Sequence, residues 1–333
     1  MRAVVTGGGG FLGRYIVEQL LERGDEVTIL ARGSYPELAQ AGARLVRGDL
    51  ADEAAVHAAC AGGTDVVFHV AAKAGLWGAW HDFYQTNVTG TQHVIDACLD
   101  NGISRLVYTS SPSVVFDNRP QEGCDESLPY PSRYESHYPA TKAQAEQMVR
   151  AVNGRQNLLT VALRPHLIWG PRDTHILPGL LERARTGKVM QVGPGTNRAD
   201  LTYVEDAARA HLLAADALRP GSAAAGSVYF ISQDNPVRVW PWINDLLARL
   251  DIPPVRKRIP LWTARAVGGV LELGHRALRL AGEPRLTRFL ASELAMSHYY
   301  DISRAKRDLG YMPQFSMEEG LARTIPYLKG DLA

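Results

Sequence analysis

The sequence predicts an α/β fold, a doubly wound parallel sheet with a smaller C-terminal lobe, from three observations. Apolar segments of strand length alternate with segments of helical period through the first half of the chain. The links between them are short. A glycine-rich turn joins the first strand to the first helix. Such alternation places helices on both faces of a parallel sheet, with right-handed crossovers.

The elements follow in order. "RAVVT" reads as a strand and "FLGRYIVEQLLERG" as an amphipathic helix ended by Gly24. "EVTIL", "ARLVRG", "DVVFHV" and "RLVYTS" are the next strands. Between them lie "ADEAAVHAAC" and a long helical stretch from Trp80 to Asp100. After Ser111 a loop rich in Pro, Asp and Glu runs to about Arg133. A helix from about Tyr138 to Val152 leads into a sixth strand, "LLTVALRP". Beyond Pro165 the elements shorten and proline increases. The expected organisation is a cofactor-binding domain at 1–165, to which the chain returns at about 200–232. Residues 166–199 and 233–333 form the expected substrate-binding lobe.

Composition excludes several classes. A net charge of +1 gives no field that would draw the chain to nucleic acid. The three cysteines, Cys60, Cys98 and Cys124, are too few and too scattered for a disulfide framework or metal cluster, and no metal site is expected. No apolar run is long enough to span a bilayer. "MRAVVTGG" enters a strand directly, without a signal-peptide pattern, so a cytoplasmic location is expected.

"VVTGGGGFLG" carries the first chemistry. Gly7 permits a tight turn, Gly10 lets a pyrophosphate approach the backbone, and Gly13 lets helix and strand pack closely. The helix start at Phe11 and Leu12 offers free N–H groups and a positive dipole to phosphate. This is a Rossmann dinucleotide site. The second strand ends "TILARGS": Ala31 stands where an NAD site wants a carboxylate, and Arg32 and Ser34 follow. A guanidinium without a carboxylate suits a 2′-phosphate, so NADP(H) is expected. Asp49 and Leu50 are placed to flank the adenine. Ala71, Lys73 and Pro165, at strand ends, complete the expected cofactor contacts.

"YPATK" puts Tyr138 and Lys142 one helical turn apart. The pair alone is a weak signal. It gains weight from motifs that occur in order around it: "TGGGGFLG", "GDL", "HVAA", "NVTGT", "YTSSPSVVF", "LRPHLIWGP" and "DLTYVEDAARAH". Together they resemble the extended short-chain dehydrogenase/reductase superfamily, which includes the NAD-dependent epimerases and dehydratases, over nearly the whole chain. The resemblance implies that Tyr138 gives a proton to a carbonyl oxygen as hydride arrives from the nicotinamide. Lys142 would lower the phenol's pKa by its charge and hold the nicotinamide ribose. Ser111 would orient the substrate oxygen, with Ser110 and Ser113 as nearby alternatives. Asn87 would fix backbone between strands.

The substrate reading departs from sugar nucleotides. Enzymes acting on those typically carry Asn where this chain has Leu167, and Arg where it has Ala199, with Arg198 one place early. Trp77, Trp80, Ser113, Phe116 and Trp169 are the expected substrate contacts, and most are apolar. Within the superfamily the chain resembles the 3β-hydroxysteroid dehydrogenase group. More narrowly it resembles bacterial 2-alkyl-3-oxoalkanoate reductases of long-chain olefin biosynthesis, through "AAKAGLWG", "TSSPSVVF", "LRPHLIWGP" and "LTRFL". That implies NADPH-dependent reduction of a 3-keto group in a lipid-like acid, with Lys73 placed to meet the acid's carboxylate. A hydroxysteroid or sterol dehydrogenase is the alternative. A sugar-nucleotide enzyme and a non-catalytic NADP(H) sensor stand further off.

Leu261 to Gly282 reads as an amphipathic helix whose Arg265, Glu272, His275, Arg276 and Arg279 share one face. Its apolar half would pack on the sheet domain or a dimer partner, lie on a membrane surface, or cover a lipid-like substrate. A homodimer is expected from the helices within Trp80–Asp100 and Tyr138–Val152, by analogy with the superfamily.

Overall fold

The computed structural model describes residues 1–330. Seven strands form a central sheet: β1 Arg2–Thr6, β2 Glu26–Ala31, β3 Arg44–Arg47, β4 Val66–His69, β5 Arg105–Thr109, β6 Leu159–Pro165 and β7 Val228–Ile231. All pairs are parallel, in the order β7-β6-β5-β4-β1-β2-β3. The strands are Val- and Leu-rich because both faces are covered. On β1, Val5 points into a core with Ile16, Leu20 and Ala207, and Val4 into a second core with Val67, Leu106 and Val149. The order reverses between β1 and β4, the point at which open α/β sheets bind ligands at their carboxyl edge.

The structure differs from the sequence reading in four places. The Trp80–Asp100 stretch is two α-helices, Trp80–Tyr84 and Gly90–Asp100, joined by a π-helical turn over Gln85–Thr89. Gly90 is required there, since a Cβ would stand 2.7 Å from that of Leu50. The acidic loop after Ser111 contains a short strand, Gln121–Cys124, which pairs with His298–Tyr300 of the lobe. In the C-terminal segment Ile302, Ala305, Leu309 and Tyr311 join the sheet domain's core. The chain therefore passes between the two bodies more often than boundaries at 165, 200 and 232 imply. Finally, the Leu261–Leu278 helix turns its polar face inward: Glu272 is buried, while Trp262, Val270, Leu273 and Leu278 are exposed. Its apolar half does not pack on the sheet domain.

Candidate active site

The glycine turn has the geometry a dinucleotide needs. Gly7 takes φ 68°, and a Cβ on Gly13 would stand 2.2 Å from the Gly7 carbonyl oxygen. The Phe11–Glu22 helix begins at an extended Gly10 with no side-chain cap, so its first N–H groups are free for phosphate oxygens. These residues fit a pyrophosphate. Arg32, just past β2, has an 83% exposed side chain and stands 3.6 Å from the Asp49 carboxylate. Ser34 is exposed, and Leu50 is buried with its carbonyl 2.8 Å from His93 Nδ1. Sequence reasoning missed Tyr35. Its ring covers Gly9, where a Cβ would come within 2.0 Å of it. The signal available was its place in the loop after β2.

Tyr138 and Lys142 lie on the His137–Ala151 helix. Ser111 ends the extended backbone after β5 and caps a 3₁₀ turn over Pro112–Val115. Its Oγ lies 2.9 Å from Ser113 Oγ, and its hydroxyl faces Tyr138. The structure thus brings Ser111, Ser113, Tyr138 and Lys142 to one strand end. Burial raises the Tyr138 pKa, and the neighbouring Ser111 hydroxyl opposes that rise. The expected lowering by Lys142 is corrected. The Lys142 ammonium donates to the Thr109 carbonyl and lies 4.2 Å from the Tyr108 ring centroid. Burial itself brings the Lys142 pKa down to about 7, against the pull of Glu146.

Two further features support this cluster. Glu146, one turn beyond Lys142, is fully buried. It accepts from Arg164 Nε at 2.9 Å and from the Tyr130 hydroxyl at 2.6 Å. Neither Glu146 nor Tyr130 was singled out from sequence; the Lys-x-x-x-Glu spacing on one helix was the available sign. Asn87, set by the π turn, accepts from the Lys73 N–H at 2.7 Å and donates to the Lys73 carbonyl and Thr141 Oγ1, both at 3.0 Å. It ties the loop after β4 to the helix of Tyr138. Lys73 Nζ itself lies 3.6 Å from Asp82 and 5.4 Å from the Phe83 ring centroid. Ala71 donates to the Thr6 carbonyl at 3.1 Å, and Pro165 ends β6.

The expected substrate contacts divide. Trp77 lines a cleft of about 280 Å³ together with Glu135, His137, His275 and Arg276, immediately before Tyr138 in the helix. Trp80 packs edge-on against His137 at 5.3 Å. Phe116 is buried against Phe289 and His298. Trp169 is corrected: it is 1% exposed and sits in the lobe's core with Tyr203 and Trp242, where an aromatic cluster holds it away from any cleft. Ala199 is buried, and Arg198 lies over the Tyr299 ring. Sequence reasoning also passed over His166 and His298, which meet at 3.1 Å behind Phe116.

A parallel sheet with a glycine phosphate loop, and a Tyr–Lys–Ser cluster beside it, defines a nicotinamide-dependent oxidoreductase of the short-chain dehydrogenase type. Residues 4–261 match the model of the 3-beta hydroxysteroid dehydrogenase/isomerase family, and the chain belongs to that family. It is 50% identical to a 2-alkyl-3-oxoalkanoate reductase of Stenotrophomonas maltophilia, over 97% of this chain and 98% of that one. It is 34% identical to the human sterol-4-alpha-carboxylate 3-dehydrogenase (decarboxylating), over 97% of this chain and 87% of that one. Among solved structures, MoeE5 in complex with UDP-glucose and NAD matches over the whole of both chains, at a TM-score of 0.76 and 27% identity.

Proposed function

We propose that the protein is an NADPH-dependent reductase that converts the 3-keto group of 2-alkyl-3-oxoalkanoic acids to the 3-hydroxy acid, as in long-chain olefin biosynthesis. The observation that carries this reading is the Ser111–Tyr138–Lys142 cluster in a chain 50% identical, end to end, to a reductase of that name. A nicotinamide held at the glycine turn would supply hydride to the carbonyl carbon. Ser111 holds the carbonyl oxygen, and the Tyr138 hydroxyl gives it a proton. Lys142 holds the ribose and stands ready to return a proton toward Tyr138. Arg32, beside Ala31 at the end of β2, supports the 2′-phosphate of NADP(H).

The names of the two relatives share a chemistry. A 3-oxoalkanoate and a 3-dehydrogenated sterol-4-carboxylate both carry the reacting oxygen β to a carboxylate. A sterol acid is therefore the second reading. Sugar nucleotides are disfavoured by the apolar Leu167 and the buried Ala199.

The test runs the reaction in the oxidative direction, because a β-keto acid loses CO₂ unaided and its hydroxy acid does not. Purified protein, a 2-alkyl-3-hydroxy acid and NADP⁺ should yield reduced nicotinamide by absorbance, faster than with NAD⁺. The Tyr138→Phe variant should not. Turnover of a sterol acid but not of the alkyl hydroxy acid would replace the substrate. No turnover of either, with cofactor bound, would remove the reading.

A further inference from the structure

We propose that the outer face of the Leu261–Leu278 helix docks on an anionic phospholipid surface. At about 100° per residue, Trp262, Ala266, Val270, Leu273 and Ala277 fall within an arc of about 80°. No charged residue interrupts it. Of the eleven exposed large apolar side chains among the described residues, six lie between Trp262 and Leu280. Four of them are the most exposed of all: Trp262 at 74%, Val270 and Leu278 at 71%, and Leu273 at 69%. The helix is held in this inverted pose by its polar face. Arg265 binds Glu135 at 2.7 Å, and Glu272 binds Arg288 at 2.8 Å. A contiguous apolar stripe of this kind marks an interaction surface.

Charge selects the occupant. Residues 256–288 carry eight Lys and Arg against two Glu, in a chain whose net charge is +1. Arg256, Lys257 and Arg258 lie exposed just before the helix and Arg285 lies exposed after it, whereas Arg276 and Arg279 line the cleft on the inner side. None of Arg256, Lys257, Arg258 and Arg285 has an ion-pair partner among the described residues. Cations flanking an apolar stripe match lipid phosphates above acyl chains, with the long Lys and Arg stems reaching up to them. A second copy would bring the same basic face against itself.

The inner face of the same helix contributes His275, Arg276 and Arg279 to the cleft beside Trp77 and His137. Docking would place the bilayer one helix diameter from that cleft, so a lipid-like acid could pass from membrane to Tyr138. The docking rests on the exposed helix; its use in delivery rests on the proposed function.

Flotation with vesicles tests it, using phosphatidylcholine alone and phosphatidylcholine mixed with phosphatidylglycerol. The protein should float with the mixed vesicles and be released by salt. Val270→Asp with Leu273→Asp should lower binding about tenfold or more, leaving turnover of a short-chain hydroxy acid in solution unchanged. Replacing Arg256, Lys257 and Arg258 by Gln should weaken binding by about fivefold per charge. Absence from the mixed vesicles, or equal flotation with phosphatidylcholine alone, would overturn the proposal. So would a sedimenting dimer that the double Asp variant splits into monomers. Flotation without turnover of any hydroxy acid would support the docking and remove the delivery role.

Discussion

At the active-site edge Lys142, Glu146 and Arg164 are only 2%, 0% and 1% exposed, whereas Val270 and Leu273 on the outer helix are 71% and 69% exposed. Each region inverts the usual partition of charged and apolar side chains, in opposite directions. The buried charges find their partners inside the protein: Arg164 on Glu146, Lys142 on the Thr109 carbonyl and the Tyr108 ring. The exposed apolar side chains have none inside. One region satisfies its side chains within the fold, and the other leaves an apolar stripe uncovered.

The largest effect expected from breaking the buried region is chemical. Tyr138→Phe should lower kcat by a factor of about 10² to 10⁴, the usual worth of a general acid. Cofactor affinity measured by fluorescence titration should hold. A smaller loss of rate would move the proton transfer to another group. Glu146→Gln should come next. It leaves the Arg164 guanidinium buried without its counter-ion, and urea unfolding should show a loss of roughly 3–5 kcal/mol. If the loss matched that of Leu273→Asp, expected within about 0.5 kcal/mol, the contrast between the regions would fail.

The third prediction concerns pH. The Lys142 pKa falls on folding to about 7 because burial disfavours the ammonium. Below that pH both folded and unfolded chains hold the proton, and the full cost of burying the charge remains. Above it, up to the free-lysine value near ~10.4, only the unfolded chain holds it, so stability rises with pH. Between about pH 7 and 9, wild type should gain roughly 2 kcal/mol on Lys142→Met in urea unfolding. Equal slopes for the two proteins would mean that Lys142 keeps its proton when buried. The smallest effect belongs to the exposed rim of the site. Arg32→Ala should raise KM for NADP⁺ by about tenfold, with KM for NAD⁺ and kcat nearly unchanged. A parallel rise for both cofactors would assign Arg32 to the loop's shape.

How much was legible beforehand follows the range of the interactions. β1, its glycine turn and the Phe11–Glu22 helix are encoded within neighbouring residues, so period and glycine spacing revealed them. Tyr138 and Lys142 share one helix, and their spacing survives folding unchanged. Glu146 with Arg164, and His166 with His298, meet only through β6 or across the lobe, and no local pattern announces such pairs. Trp169 misled for the same reason: its place at a strand end says nothing of Tyr203 and Trp242, which enclose it. The amphipathic period of the Leu261–Leu278 helix was visible, but not which face turns inward. That depends on Glu135 and Arg288, contributed by distant segments.

Leu167 has a last consequence. It takes φ 40°, in the left-handed region that costs a branched side chain on the order of 1–2 kcal/mol and that Asn enters readily. An Asn would occupy this backbone at lower cost, while Leu keeps the position apolar against the lobe's core. Stability and an apolar surface therefore pull this one position apart.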